Sequence, residues 1–232
     1  MSSGKPRVLS NKTIKPKGVE RVCNALLNEY GTSRLGNPRD PLDDLVFITL
    51  SNKTSPKVVE RVYKQLKKTY PKWSYIPKVR KSKLQKIIRP AGLSIKKSRQ
   101  IKTALRKIDR DFGVDYLARL KTMDDNDVEN YLTSLPGIST KVAKCIMLFA
   151  LNRKVLPVDV HVHRITRRLG WITKKRADQS HLLLEEIVPP GRRFAFHVNC
   201  ILHGRAVCRP SDPLCENCSI RKYCNFYKEG LN

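Results

Sequence analysis

The last stretch of this sequence carries four cysteines, Cys208, Cys215, Cys218 and Cys224, in the spacing C-x6-C-x2-C-x5-C. Four thiols in so short a segment constrain any fold to gather that segment around one metal group. Thiolate is a soft ligand, and four of them suit either a tetrahedral zinc or a [4Fe–4S] cluster. Zinc modules usually present their ligands as two separated pairs, so that two short turns close on one ion. Only Cys215 and Cys218 form such a pair, and the outer two stand six and five residues away. That spacing suits a larger object with four separated corners, which favours the cluster and leaves zinc as the second reading. Disulfides are disfavoured by an odd total of seven cysteines and by the lack of a secretory signal. Cys23, Cys145 and Cys200 lie inside apolar or helical patterns and read as buried small hydrophobes.

A chain of 232 residues can bury one sizeable core or two small ones. Its longest near-continuous apolar run, Cys145 to Leu151, spans seven residues, far short of a membrane span. Residues 1–18 are basic and polar, and read as a flexible arm rather than an anchor or signal. A cytoplasmic, nucleoid-associated location is the corresponding expectation. The formal charge is +27, and its distribution says more than its size. From Arg61 to Ile108 there is no Asp or Glu, while 17 positions are Lys or Arg. An ordinary solvated face mixes signs, and a run like this repels itself unless a polyanion lies against it. Nucleic acid is the polyanion that fits best, because neutralising phosphates releases counterions. An acidic membrane surface is the second reading.

The texture is helical throughout. Apolar residues recur at helical spacing over Val19–Tyr30, Pro41–Leu50, Pro56–Leu66 and Ser98–Phe112, and Ser82 stands where it could cap Lys83–Ile88. Gly92 breaks the chain before the fourth of these. No stretch alternates at period two, so almost no sheet is expected. The most structured signal runs from Asp124 to Leu151. Asp127 is the expected cap of a helix carrying Val128, Tyr131 and Leu132. Leu135-Pro136-Gly137-Ile138 then makes a tight turn, and a second helix begins near Ser139 or Thr140. The amide groups and positive dipole at that helix N-terminus can hold a phosphate; an ordinary bundle hairpin explains the pattern equally well.

The run LPGISTKVAKCIMLFALNRKVLPVDVHVHRITRRLGW, Leu135 to Trp171, resembles the endonuclease III family of DNA glycosylases. The resemblance starts with the hairpin at Leu135 to Lys141 and continues through Val158-Asp159, His161 and Arg164. It ends with HGRAVC at His203 to Cys208 and the four-cysteine array, in the family's order and spacing. It covers about Pro41 to Cys224, thinly in the first third. It implies an all-α fold of two lobes, a helical barrel lobe and an iron–sulfur lobe, with double-stranded DNA crossing between them. The implied boundaries are a basic arm at 1–18, an N-terminal helix at 19–40 packing with the cluster lobe, and a barrel at 41–155. The helix-hairpin-helix lies at 127–151 and the C-terminal lobe at 156–232, with its cluster loop at 208–224. By the same resemblance Cys208, Cys215, Cys218 and Cys224 hold a [4Fe–4S] cluster that supports Arg205 and Arg209 against the DNA backbone.

Carried over residue by residue, Lys141 looks like the family's nucleophilic lysine and Asp159 like its catalytic aspartate. The residues themselves add two expectations. Lys141 sits in a helix's first turn with Lys144 at i+3, and both effects should lower its pKa and free the amine. Asp159 precedes an apolar-periodic helix (Val160, Val162, Ile165, Leu169) and should cap it. The implied chemistry is base excision by a monomer. A damaged, mismatched or modified pyrimidine is flipped out, Lys141 attacks C1′, and β-elimination nicks the strand. Leu135, Gly137 and Ser139 of the hairpin, Asn52 or Lys53 at the flipped-base gap, and Leu93 as the opposite wedge are the implied DNA contacts. Several positions depart from the family pattern. Ser139 replaces a glycine and Val160 a threonine, and the base-contacting LSNKTSP (Leu50 to Pro56) lacks the family's glutamine, which leaves open whether the target is an oxidised, mismatched or modified pyrimidine. A monofunctional glycosylase of the adenine-removing or mismatch kind is one rival. The adenine-removing branch needs a carboxylate early in the barrel, which LSNKTSP does not supply. A DNA-binding protein without catalysis is the other.

Overall fold

Residues 16–113, 116–173 and 176–230 are described by a computed structural model; most of the basic arm at 1–18 lies outside them. Helices follow one another with no strand among the described residues: α1 (Val19–Tyr30), α2 (Pro41–Ser51), α3 (Pro56–Thr69), α4 (Lys81–Ile88), α5 (Ser94–Phe112) and α6 (Tyr116–Thr122). There follow α7 (Asp125–Thr133), α8 (Thr140–Phe149), α9 (Val160–Arg168), α10 (His181–Ile187), α11 (Arg193–Ala206) and α12 (Asn225–Lys228). No described helix is long and apolar enough to cross a membrane.

Two hydrophobic cores divide the chain. The first gathers α2 to α8 around Leu45, Val62, Leu84, Ile101, Val128, Leu132 and Ile146. The second packs α1 against α9 to α11 through Val22, Leu26, Val162, Ile165, Leu184 and Phe196. The chain therefore begins its second lobe with α1, leaves to build the first, and returns after Val155. Helix α11 serves both lobes: Val198 faces the first core, while Phe196 and Cys200 face the second. Trp171 stacks on Phe196 at 5.6 Å, and the Asn199 amide donates to Leu26 O at 3.2 Å, pinning α1 to α11.

An ion trio centred on a buried lysine crosses between the lobes. Lys144 of α8, 3% exposed, lies 2.9 Å from Glu129 of α7 and 2.9 Å from Glu185 of α10. Glu185 also accepts from Leu156 N at 2.8 Å, so one carboxylate fixes the point where the chain passes from lobe to lobe. Such a trio holds a register; it adds little net stability, because three charges had to leave water.

Local chemistry set several boundaries otherwise than expected. The α7 cap is Asp124, whose carboxylate accepts from Asp127 N at 2.8 Å, so Asp127 sits in the first turn. Helix α4 starts at Lys81, behind Arg80, and Ser82 lies inside it without a capping role. Helix α5 starts at Ser94 rather than Ser98, because Leu93 adopts a left-handed conformation (φ 48°) and turns the chain immediately before it.

Candidate active site

Helices α8 and α9 bring Lys141 and Asp159 together. Asp159 is the N-cap of α9, and its Oδ1 accepts from His161 N and Val162 N, each at 2.9 Å. The cap and a catalytic role are compatible, since two amide bonds fix where the carboxylate points. Lys141 lies in the first turn of α8, partly buried, beside Cys145 one turn on.

The expected depression of the Lys141 pKa is not found; it is raised. Cys145 beside it contributes most, burial opposes, and Asp159 and Asp44 add to the rise. Lys144 exerts no push because it points away, into its trio with Glu129 and Glu185. Burial pushes the Cys145 thiol up to about 11 and Asp44 up to about 8, so both are predominantly uncharged at neutral pH. Asp159 is among the groups that hold the Lys141 ammonium at rest, and that ammonium must lose a proton before it can attack carbon.

Asp44, on α2, escaped the sequence reading. It is 0% exposed, its Oδ1 accepts from Asn37 Nδ2 at 2.7 Å, and its Oδ2 has no hydrogen-bond partner. A buried carboxyl therefore stands on α2 ahead of LSNKTSP. His197 of α11 also adjoins the site: burial drives its pKa down against the pull of Asp159, and its Nδ1–H donates to Pro157 O at 3.0 Å.

The hairpin forms between α7 and α8. Gly137 has φ 82°, which favours glycine, and a Cβ there would lie 2.2 Å from Gln100 Nε2, so that side chain would have to shift. Leu135 is 1% exposed and anchors the turn in the core. Ser139 is exposed at the N-cap of α8, but its hydroxyl does not cap the helix. No side chain therefore occupies the first-turn amides.

Two further loops stand side by side on the barrel lobe. Asn52 and Lys53, both exposed, follow α2, and Lys53 has φ 53°; Leu93, 50% exposed, precedes α5 with φ 48°. Left-handed backbone at two non-glycine residues stores strain that the surrounding structure must hold. Lys97 holds it: 1% exposed, its ammonium donates to Leu50 O at 2.8 Å, Thr54 Oγ1 at 2.7 Å and Ala91 O at 2.7 Å. Thr54 Oγ1 in turn donates to Ala91 O at 2.6 Å. Desolvation lowers the Lys97 pKa, as expected for a cation buried among neutral acceptors.

The four cysteines line one hollow, walled by Ile165, Leu169, Val207, Leu214 and Phe226. Among the described residues no three His, Cys, Asp or Glu side chains converge on a point where one ion would sit. The thiols are set around a space. Arg168 Nη1 donates to Cys208 Sγ at 3.2 Å and stacks over Phe226 at 4.3 Å, and its other contacts are to Arg209 O and Pro210 O. Arg164 Nε donates to Cys208 O at 2.9 Å. Gly204 makes room for this packing: a Cβ there would meet His161 Nδ1 at 2.5 Å. Four soft donors, an apolar wall and a guanidinium at one sulfur fit an iron–sulfur cluster. Arg205 and Arg209 are exposed beside this loop.

Comparison with known proteins fits this geometry. A family model described as HhH-GPD superfamily base excision DNA repair protein matches residues 46–190. Endonuclease III of Thermotoga maritima is 28% identical over 90% of this chain and 93% of its own length. A thymine/uracil-DNA glycosylase of Methanothermobacter thermautotrophicus is 26% identical over 95% of this chain and 99% of its own. A trapped covalent endonuclease III–DNA intermediate superposes with a TM-score of 0.81 at 21% identity, covering 94% of this chain and 100% of that one. The chain is a DNA glycosylase of base excision repair and belongs to the endonuclease III family within the HhH-GPD superfamily.

Proposed function

We propose that this chain is a bifunctional glycosylase and abasic-site lyase, acting as a monomer on double-stranded DNA that holds a damaged, mismatched or modified pyrimidine. The observation that carries the reading is the pairing of Lys141 at the start of α8 with Asp159 at the start of α9, close enough to interact electrostatically. Its geometry serves two steps. As the glycosidic bond weakens, Asp159 stabilises positive charge on the sugar and accepts the Lys141 proton. The freed amine attacks C1′, forming a Schiff base that permits β-elimination on the 3′ side.

The remaining groups bind. The uncapped start of α8 offers amides and positive dipole to a phosphate, with Gly137 letting the backbone approach. Leu93 and the Asn52–Lys53 loop enter the stack from two sides, one filling the gap left by the flipped base. The four cysteines hold a [4Fe–4S] cluster, which supplies structural support for the loop carrying Arg205 and Arg209. The thymine/uracil activity named for the Methanothermobacter relative, together with the altered LSNKTSP loop, places mismatched thymine and uracil among the substrates to test.

Replacing Lys141 with glutamine tests the assignment. Lys141→Gln should abolish strand nicking and covalent trapping while leaving duplex binding within a few-fold of wild type. Nicking at the full rate by this variant would remove Lys141 from the mechanism.

A further inference from the structure

Asp44 is a poor residue for the place it occupies. Its helix is buried on nearly every side, with Leu45, Val46, Phe47, Ile48 and Leu50 all in the core. A leucine would bury well there. A carboxyl instead leaves Oδ2 without a partner, and Arg34 Nε, on a side chain that interacts electrostatically with Asp44, is likewise buried and unpaired. An unmatched acceptor and an unmatched donor in one interior region stabilise nothing as they stand. The charged and titratable groups interacting with Asp44 are Arg34 and Asn37 before α2, Asp43 on it, Tyr63 of α3, and Lys141 and Cys145 of α8. The Asp44 carboxyl thus lies within electrostatic reach of the proposed nucleophile.

Resting on the glycosylase reading above, we propose that the Asp44 carboxyl is the proton donor to the departing base. The C1′–N bond breaks, and its electron pair passes onto the pyrimidine. The proton on Oδ2 moves to the base's carbonyl oxygen, so the base leaves neutral. Asp44, now a carboxylate, regains a proton from water once the free base has diffused away. Burial supplies what the step requires, a carboxyl still protonated near neutral pH. The device matters most for pyrimidines that leave poorly as anions, such as thymine, and least for those whose ring withdraws charge, such as 5-fluorouracil.

Asp44→Asn tests this with its leaving-group dependence. Base release is measured from duplexes holding thymine or 5-fluorouracil opposite guanine, and nicking from a duplex with a preformed abasic site. The expected loss is about a hundredfold on thymine and under about tenfold on 5-fluorouracil, within the range for general acid catalysis. The ratio of abasic-site nicking to thymine release should rise at least tenfold. Wild-type release should fall as pH climbs through about 8, and the variant should lack that limb. Melting temperature should rise, because the variant no longer buries an acid. Asp44→Leu gives a second measure of the same loss. Equal losses on both bases, or thymine release by Asp44→Asn within about twofold of wild type, would overturn the proposal. Wild-type protein that releases neither base would instead refute the glycosylase reading itself.

Discussion

Lys97→Met is the substitution whose effect the structure specifies most fully. The chain keeps its length and apolar stem but loses the ammonium that joins the loop after α2 to the loop before α5. Ala91 O retains the Thr54 hydroxyl as a donor, whereas Leu50 O loses a charged donor in the interior. Hydrogen bonds from a charged group contribute about 1.5–3 kcal/mol each, and relief of the lysine's desolvation offsets part of the loss. A net cost of about 3 kcal/mol follows, or roughly 6–12 °C in melting temperature for a chain of this size. Function should fall further than stability alone dictates. Lys53 and Leu93 are held in left-handed conformations, and without the tether the strain at both can relax. At a temperature where the variant is fully folded, release of a base from duplex DNA should drop at least about tenfold, while nicking at a preformed abasic site drops less. Single-turnover excision, read beside thermal melting, measures both. Pairing the change with Thr54→Val gives a double-mutant cycle, and coupling of about 1 kcal/mol or more is expected between residues in direct contact. A Lys97→Met protein with unchanged melting and unchanged excision would refute the reasoning.

Two other expectations follow from buried charge. Lys144→Met leaves Glu129 and Glu185 facing each other without their cation, and should cost about 3 kcal/mol in denaturant unfolding, with the folded DNA-binding surface intact. His181 and His197 are buried with pKa values depressed chiefly by desolvation. Each takes a proton more readily unfolded than folded, so its contribution is fully present above about pH 6.5 and is lost as pH falls below it, at up to about 1.4 kcal/mol per pH unit. Denaturant midpoints between pH 7 and pH 5 should therefore decline, and replacing either histidine with glutamine should flatten the decline.

Much of this architecture is legible in the residues. Val19–Tyr30 forms a helix with the expected ends, and its apolar stripe at Val22, Cys23 and Leu26 is buried as its periodicity requires. Asp159 caps α9, and the four cysteines face one hollow. Where the reading missed, tertiary partners had overridden a local rule. Lys144 looked like a cation crowding Lys141 because the two are three apart, yet two glutamates from other helices draw it away. Lys97 is one of the basic residues of the acid-free run. Its position four before Ile101, in line with Leu105 and Ile108, was a signal that it faces inward. Asp44 stands likewise four before Ile48, within a helix too apolar for a solvated acid. A polar residue on a buried stripe is the pattern that both share, and neither could be interpreted until its partners were in view.

The account stands or falls on a covalent bond between Lys141 and the sugar. Borohydride added during reaction with a duplex holding an abasic site reduces a Schiff base to a stable link. The account predicts a protein–DNA adduct whose crosslinked peptide contains Lys141, formed by wild type and absent from Lys141→Gln. A wild-type protein that forms no adduct on the abasic duplex, or one crosslinked through another residue, would contradict it.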